Sequence, residues 1–315
     1  MTTVACVGLA VLDLVFGVPT RPDRGRKVFA DSMAIVGGGP AANAAVAVAR
    51  LDGSARFIGR LGDDAIGDTI VEEFAQWGVD ATGVRRISSI PSPVSSIIVE
   101  ADGERTIVNY SDDRLFRPED GVTVDDLSGA DVVLGDLLWP TGALSAMHAA
   151  REIGIPGVLD FDEAHDGPTG IALTAPTHVI FSAAALAAVS GESNPRMGLQ
   201  AVRRMTDSWI AVTVGSGGVL WFDGAADLRT TPAFDVDAVD TLGAGDVFHG
   251  AFALGLAEKR PIEEVIRRAS AVAALKCTRF GGRAGIPCTE EVEEFLAGRP
   301  VDQQISRSKL PGTRY

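Results

Sequence analysis

Short apolar runs and longer stretches with apolar residues every third or fourth position alternate along this chain. Residues 4–10 read as a first buried strand ending near Asp13. Gly37-Gly38-Gly39-Pro40 opens a helical pattern that runs to Leu51, with the proline suited to a first helical turn. Residues 56–60 read as a short strand, and residues 64–77 as an amphipathic helix stopped by Gly78. Residues 94–110 alternate apolar and polar around a turn at 101–104, which predicts a hairpin with one polar face. From there a strand–helix rhythm sets in. Strands are expected at 131–137, 155–160, 178–181, 209–214 and 218–222, and helices at 141–153, 196–205, 245–257 and 262–277.

That rhythm predicts an α/β fold whose mainly parallel central sheet is covered by helices on both faces. Two stretches break it, 14–36 and 92–112, and they are expected to pair in space as a small β lid. The core then comprises residues 1–13, 37–91 and 113–298, and residues 299–315 form a polar C-terminal tail. The content of hydrophobic residues is 46% and of aromatic residues 6%, with Ala, Val and Gly prominent. Small side chains suit parallel strands packed closely under helices.

The net charge is −14, which argues against nucleic acid or an anionic membrane surface as partner. A phosphate-bearing substrate therefore needs locally placed cations. Cys6, Cys277 and Cys288 are odd in number and lack metal-ligand spacing, which fits a reducing cytoplasm without a structural disulfide. The first residues read as a strand, not a signal peptide, and no apolar run is long enough for a membrane span. The histidines at 148, 165, 178 and 249 are scattered and predict no metal cluster.

The most informative chemistry lies in Asp240-Thr241-Leu242-Gly243-Ala244-Gly245-Asp246-Val247-Phe248-His249-Gly250. The small residues Gly243, Ala244 and Gly245 let backbone amides approach an anion at a helix N-terminus. Asp246 beside them can take a proton from a hydroxyl while the amides hold charge on a transferred phosphoryl group. An aspartate that merely caps a helix behind a glycine turn would look the same, and spacing alone leaves the two readings level.

Two segments together resemble the signatures of the ribokinase-like (PfkB) carbohydrate kinases. The N-terminal one is Gly37-Gly38-Gly39-Pro40-Ala41-Ala42-Asn43, followed by Phe57-Ile58-Gly59-Arg60-Leu61-Gly62-Asp63. The C-terminal one is residues 240–251, and their order and separation extend the resemblance over residues 3 to 297. The resemblance implies a three-layer sandwich with a β lid and Mg·ATP-dependent phosphorylation of a sugar hydroxyl. It implies Asp246 as general base, with the anion hole at Gly243, Ala244 and Gly245. It implies sugar contacts from Asp13, Gly38, Gly39 and Asn43, and nucleotide contacts from Thr213, Gly215, Ser216, Gly218 and Gly282. It further implies a potassium site on Asp240, Leu242, Cys277 and Gly282, and a homodimer clasped through the lid.

Residues 107–110, 274–279 and 281–287 are similar to the sulfofructose kinase subgroup, in which Lys27 and Asn109 would help bind an anionic substrate end. The arginine expected there before Trp139 is Leu138, which removes a bidentate anion partner. A neutral ketose-like sugar, or an anionic one held by Lys27 with Arg26 or Arg105, is equally compatible. The family's frequent Asn-x-x-Glu motif is replaced by Ser182-Ala183-Ala184-Ala185, so magnesium would rest on nucleotide, water and other acids such as Asp160 and Asp162. The rival readings are a nucleoside kinase and a non-catalytic sugar or nucleotide sensor. A dinucleotide-binding oxidoreductase fits less well, because Gly37–Gly39 does not follow a strand at the required spacing.

Overall fold

The computed structural model describes residues 2–100, 105–117, 121–162, 169–224 and 227–299. The turn expected at 101–104, His165 and the tail from residue 300 lie outside them. The strands are β1 (Thr3–Val7), β2 (Val11–Val18), β3 (Ser32–Gly38), β4 (Ser54–Gly62), β5 (Asp80–Ile87), β6 (Val94–Glu100) and β7 (Arg105–Tyr110). They continue as β8 (Val132–Asp136), β9 (Gly157–Phe161), β10 (His178–Ser182), β11 (Trp209–Thr213), β12 (Val219–Asp223) and β13 (Asp227–Thr231). The helices are α1 (Pro40–Arg50), α2 (Ala65–Gln76), α3 (Pro140–Ile153), α4 (Thr169–Thr174), α5 (Ala183–Ser190) and α6 (Pro195–Val202), then α7 (Ala244–Ala257), α8 (Ile262–Cys277) and α9 (Thr289–Ala297).

A nine-stranded sheet in the order β13-β12-β11-β10-β9-β8-β1-β4-β5 forms the middle layer, with β12 antiparallel to both its neighbours, β11 and β13. The period-2 alternation of β1 divides the molecule into two cores. Val4 and Cys6 point to a core shared with α1, α2, α7, α8 and α9, while Ala5 and Val7 point to one shared with α3, α4, α5 and α6. Small residues let α1 and α7 approach closely: a Cβ at Gly250 would strike the Ala44 backbone. A second sheet, β3-β2-β6-β7, forms the lid. Its β2–β3 and β6–β7 pairs are antiparallel and its β2–β6 pair is parallel.

The first strand is shorter than its apolar run suggested. It ends at Val7, and Asp13 lies inside lid strand β2, in register with Val36 and Ser95, not in a turn at the end of β1. Strand β5 gave no apolar signal because it is a polar edge of the sheet. From β1 the chain reaches β4 on one side of the sheet and later β8 on the other. Ligands of open α/β sheets bind at such a switch point, beyond the carboxyl ends of the strands. Asp136 closes β8 there. Its Oδ2 accepts the Leu9 amide at 2.9 Å and the Ala41 amide at 3.0 Å, and its Oδ1 accepts the Leu138 amide at 2.9 Å.

Candidate active site

Gly243, at φ +73°, takes the left-handed conformation that turns the chain into α7. The Ala244 amide is held by the Thr241 carbonyl at 3.2 Å. Gly245 and Asp246 follow in the first turn, where an α-helix offers its amides no internal acceptor. The Asp246 carboxylate meets α1: Asn43 Nδ2 donates to its Oδ2 at 2.7 Å. Asn43 Oδ1 in turn accepts Arg283 Nε at 2.9 Å. A guanidinium can only donate and an ionised carboxylate can only accept, so this chain of bonds fixes the amide's orientation.

Arg283 is 2% exposed, and each of its three guanidinium nitrogens has an acceptor. Its Nη1 pairs with Glu73 at 3.0 Å and its Nη2 donates to the Gly38 carbonyl at 3.0 Å. Gly37 and Gly38 are small for a local reason: a Cβ on the first would collide with Arg283 and Glu73, and on the second with the Asp13 carboxyl. Gly39, at φ +95°, brings the chain against the Leu9 carbonyl at the start of α1. Neither Arg283 nor Glu73 was expected as a site residue, although Arg283 lies within the Gly281–Gly285 motif.

Burial pushes the Asp246 carboxyl above the ordinary range, and the nearby Asp162 charge adds to it. The Asn43 bond and the Arg283 and Lys276 charges oppose the shift. Such a carboxylate is more basic than one in water, as proton abstraction requires. Asp13 is raised to about 6, chiefly by burial, against a hydrogen bond from Ser95 and the charge of Arg283. Asp136 is likewise raised to about 6 by burial, in spite of its backbone amides.

On the far side of Gly243 a cavity of about 570 Å³ is lined by Thr213, Gly215, Ser216, Gly218, Thr241, Ala244, Gly245 and Cys277. Its size suits a nucleotide. The turn after β11, expected to bind nucleotide, is a hairpin, since β11 and β12 pair antiparallel across it. Gly282 lies elsewhere. It lines the smaller cavity of Asp13, Asn43, Gly243 and Arg283, on the opposite side of the anion turn.

The register of the lid sorts its residues by face. Asn109 sits opposite Ser95, the partner of Asp13, and so belongs to the face over the cleft. Arg105 shares that face, but its guanidinium is engaged: Nη2 donates to Thr241 Oγ1 at 2.6 Å and stands 3.8 Å from Asp240 Oδ1. It therefore ties the lid to the turn before α7 and is not free for a substrate anion. Lys27 is exposed in the irregular segment between β2 and β3. Leu138 is half-buried.

The residues expected to hold metals fare differently. Asp160 faces His249 Nδ1 at 3.2 Å; burial raises the acid well above its usual value and lowers the histidine to about 4. Both shifts favour the neutral forms of this buried pair. Asp162 is exposed at the end of β9, and its charge reaches Asp246. One such carboxylate with nucleotide phosphates and water matches the usual magnesium environment. The potassium set does not fit. Asp240 Oδ2 and its carbonyl oxygen both accept Lys276 Nζ at 3.0 Å, and the Cys277 carbonyl accepts the Val239 and Asp240 amides at 2.7 and 3.0 Å. Among the described residues no group of three or more His, Cys, Asp or Glu could hold a metal ion, and no helix is long and apolar enough to cross a membrane.

A family model for the pfkB family carbohydrate kinases matches residues 1–288, and the chain belongs to that family. Its similarity to the ribokinase of Bacillus subtilis is 29% identity over 306 residues, covering 94% of this chain and all, 100%, of that one. A solved structure from Agrobacterium tumefaciens, provisionally assigned as a ribokinase, superposes with a TM-score of 0.89 at 37% identity, covering 94% of this chain and 98% of that one. The Arabidopsis thaliana ribokinase complexed with ribose and ATP superposes with a TM-score of 0.81 at 25% identity, covering 94% and 98%. The chain is accordingly a phosphotransferase with an alcohol group as acceptor, on a ribokinase-like fold.

Proposed function

We propose that this protein phosphorylates a hydroxyl of a neutral, ketose-like sugar with ATP. The observation that carries the reading is the Arg283–Asn43–Asp246 relay under Asp13, with a nucleotide-sized cavity on the other side of Gly243. Asp13, Asn43 and the Gly38 backbone hold sugar hydroxyls, and Asn109 reaches down from the lid. Asp246 takes the proton of the acceptor hydroxyl, which attacks the γ-phosphoryl group in line. The first-turn amides of α7 stabilise charge on the transferring group. Thr213, Gly215, Ser216 and Gly218 cradle the nucleotide. Magnesium, held by the nucleotide and Asp162, supplies neutralisation of phosphate charge. The lid excludes water, which would otherwise consume ATP.

A neutral substrate is favoured because the cations nearest the cleft are already committed. Arg283 serves Glu73, Asn43 and Gly38, Lys276 serves Asp240, and Arg105 serves Thr241. An anionic sugar held by Lys27 and Asn109 is the second reading, supported by Asn109 on the cleft face. Two copies associate through the outer face of the lid, where Met33, Ile35, Val108 and Tyr110 are exposed, and the enzyme works in the cytoplasm.

ADP release from Mg·ATP against ketoses, aldoses, their 1- and 6-phosphates, sulfofructose and nucleosides tests the proposal, with Asp246→Asn as control. A neutral sugar turned over by the parent and not by the variant is expected. Preference for an anionic sugar that is lost in Lys27→Ala would transfer the assignment to the second reading. A nucleoside hit would make this a nucleoside kinase, and ATP binding without turnover of any acceptor would leave a sensor.

A further inference from the structure

Lys276 lies in the last turn of α8 with its side chain only 1% exposed, and its ammonium does not point at water. Nζ donates to Asp240 twice, to the carboxylate and to the main-chain carbonyl, both at 3.0 Å. The same carboxylate gathers the turn around itself. Its Oδ1 accepts the Leu242 amide at 2.9 Å, and its Oδ2 accepts the Gly281 and Gly282 amides at 3.3 and 3.4 Å. Asp240 lies three residues before Gly243, where the chain turns into the anion hole. It thus ties together the anion turn, the end of α8 and the Gly281–Gly285 segment that carries Arg283.

This is the work a bound monovalent cation does when it gathers a carboxylate and carbonyl oxygens. Here the positive charge is already present and covalently attached. A second cation would find the Cys277 carbonyl taken by two amides and the Asp240 carboxylate facing both Lys276 and Arg105. Like charges crowded around one half-buried carboxylate repel.

We propose that the Lys276 ammonium is a built-in replacement for a monovalent cation, a positioning residue that holds the anion turn through Asp240 and makes the enzyme independent of added potassium. The proposal rests on the kinase reading for its meaning in turnover, but its structural part does not.

The test compares the parent and Lys276→Met in potassium chloride and in tetramethylammonium chloride at equal concentration. Melting temperature and ATP affinity are measured first, since neither needs a known sugar, and turnover is measured with whichever acceptor is found. The parent is expected to show the same melting temperature, ATP affinity and kcat in both salts. The variant is expected to lose about a hundredfold in kcat in tetramethylammonium, the scale of a misplacement of about 1 Å at a reacting group. Potassium or ammonium should then raise its melting temperature and restore much of kcat. Potassium activation or stabilisation of the parent overturns the proposal. So does a folded variant that no monovalent cation rescues, or one whose loss falls on the sugar KM, which would make Lys276 a substrate contact. If Lys276→Met does not fold, Lys276→Gln is put through the same comparison, and the parent's response to potassium decides by itself. A parent that binds ATP with no salt preference yet phosphorylates nothing would fail the kinase reading while leaving the lysine's role intact.

Discussion

In the proposed role of general base, Asp246 has to be basic enough to take a proton and held firmly enough to take the right one. Burial provides the first and Asn43 the second. Asp246→Asn is expected to lower kcat by about 10³-fold or more, within the range of a general base, while ATP affinity measured by calorimetry stays within a few fold. Asn43→Ala should cost less and should act on kcat more than on KM. Asp13, raised to about 6, adds a pH signature. Below that value it is protonated and loses an acceptor for the sugar, so kcat/KM should fall as pH drops through about 6. That acid limb should move in Asp13→Asn; a limb unchanged in the variant would belong to Asp246 instead. The glycine turn and its aspartate were legible because both lie in one continuous stretch. The partners that tune them were not. Arg283 meets Asn43 across 240 positions and Glu73 across 210, and a local pattern carries no trace of such contacts. Lys276 was visible in a motif, but only the fold shows that it turns inward to Asp240.

Helices and strands with strong apolar periodicity stand close to where the pattern put them. α3, α7 and α8 differ from expectation by a residue at most: α3 and α8 bury one face, which enforces both pattern and position, and α7 is buried all round from Val247 to Gly255. Elements that bury little were missed: the polar edge strand β5, the hairpin strand β13 and the short helix α9, of whose residues Val292 alone is fully buried and which is capped through Cys288 and Glu291. The run from β1 into β2 was misjudged because both strands are apolar and only the fold shows the break between them. Asp136 stands at that break. Asp136→Ala would leave the Leu9, Ala41 and Leu138 amides without their acceptor and should cost about 3 kcal/mol, seen as a lower Tm. Its pH dependence runs opposite to that of a paired surface carboxylate. Between 3.8 and about 6 the folded chain keeps a proton that the unfolded chain has released. The stability owed to this group is therefore fullest in acid and is lost as pH rises through that window.

The outer face of the lid exposes apolar side chains. Met33, 60% exposed, and Val108, 64% exposed, share the outer side of the lid with Ile35 and Tyr110, and each lies on an edge strand of that sheet. Lysine at both Ile35 and Val108 should convert a dimer into monomers in sedimentation, with sugar KM rising as the lid loses its support. A parent that sediments as a monomer would remove the lid interface from the proposal. The relay at the centre has a consequence for how the protein is made. Gly38 and Asn43 emerge early, yet the guanidinium that fixes them lies 245 and 240 positions later. At about 5–20 residues per second, the first glycine-rich segment waits on the order of tens of seconds on the ribosome before Arg283 exists to meet it. A nascent chain stopped before that residue would already carry Asp246 and the turn after β11 but would lack the guanidinium that orients Asn43 toward Asp246, so on the proposed mechanism competence waits for Arg283.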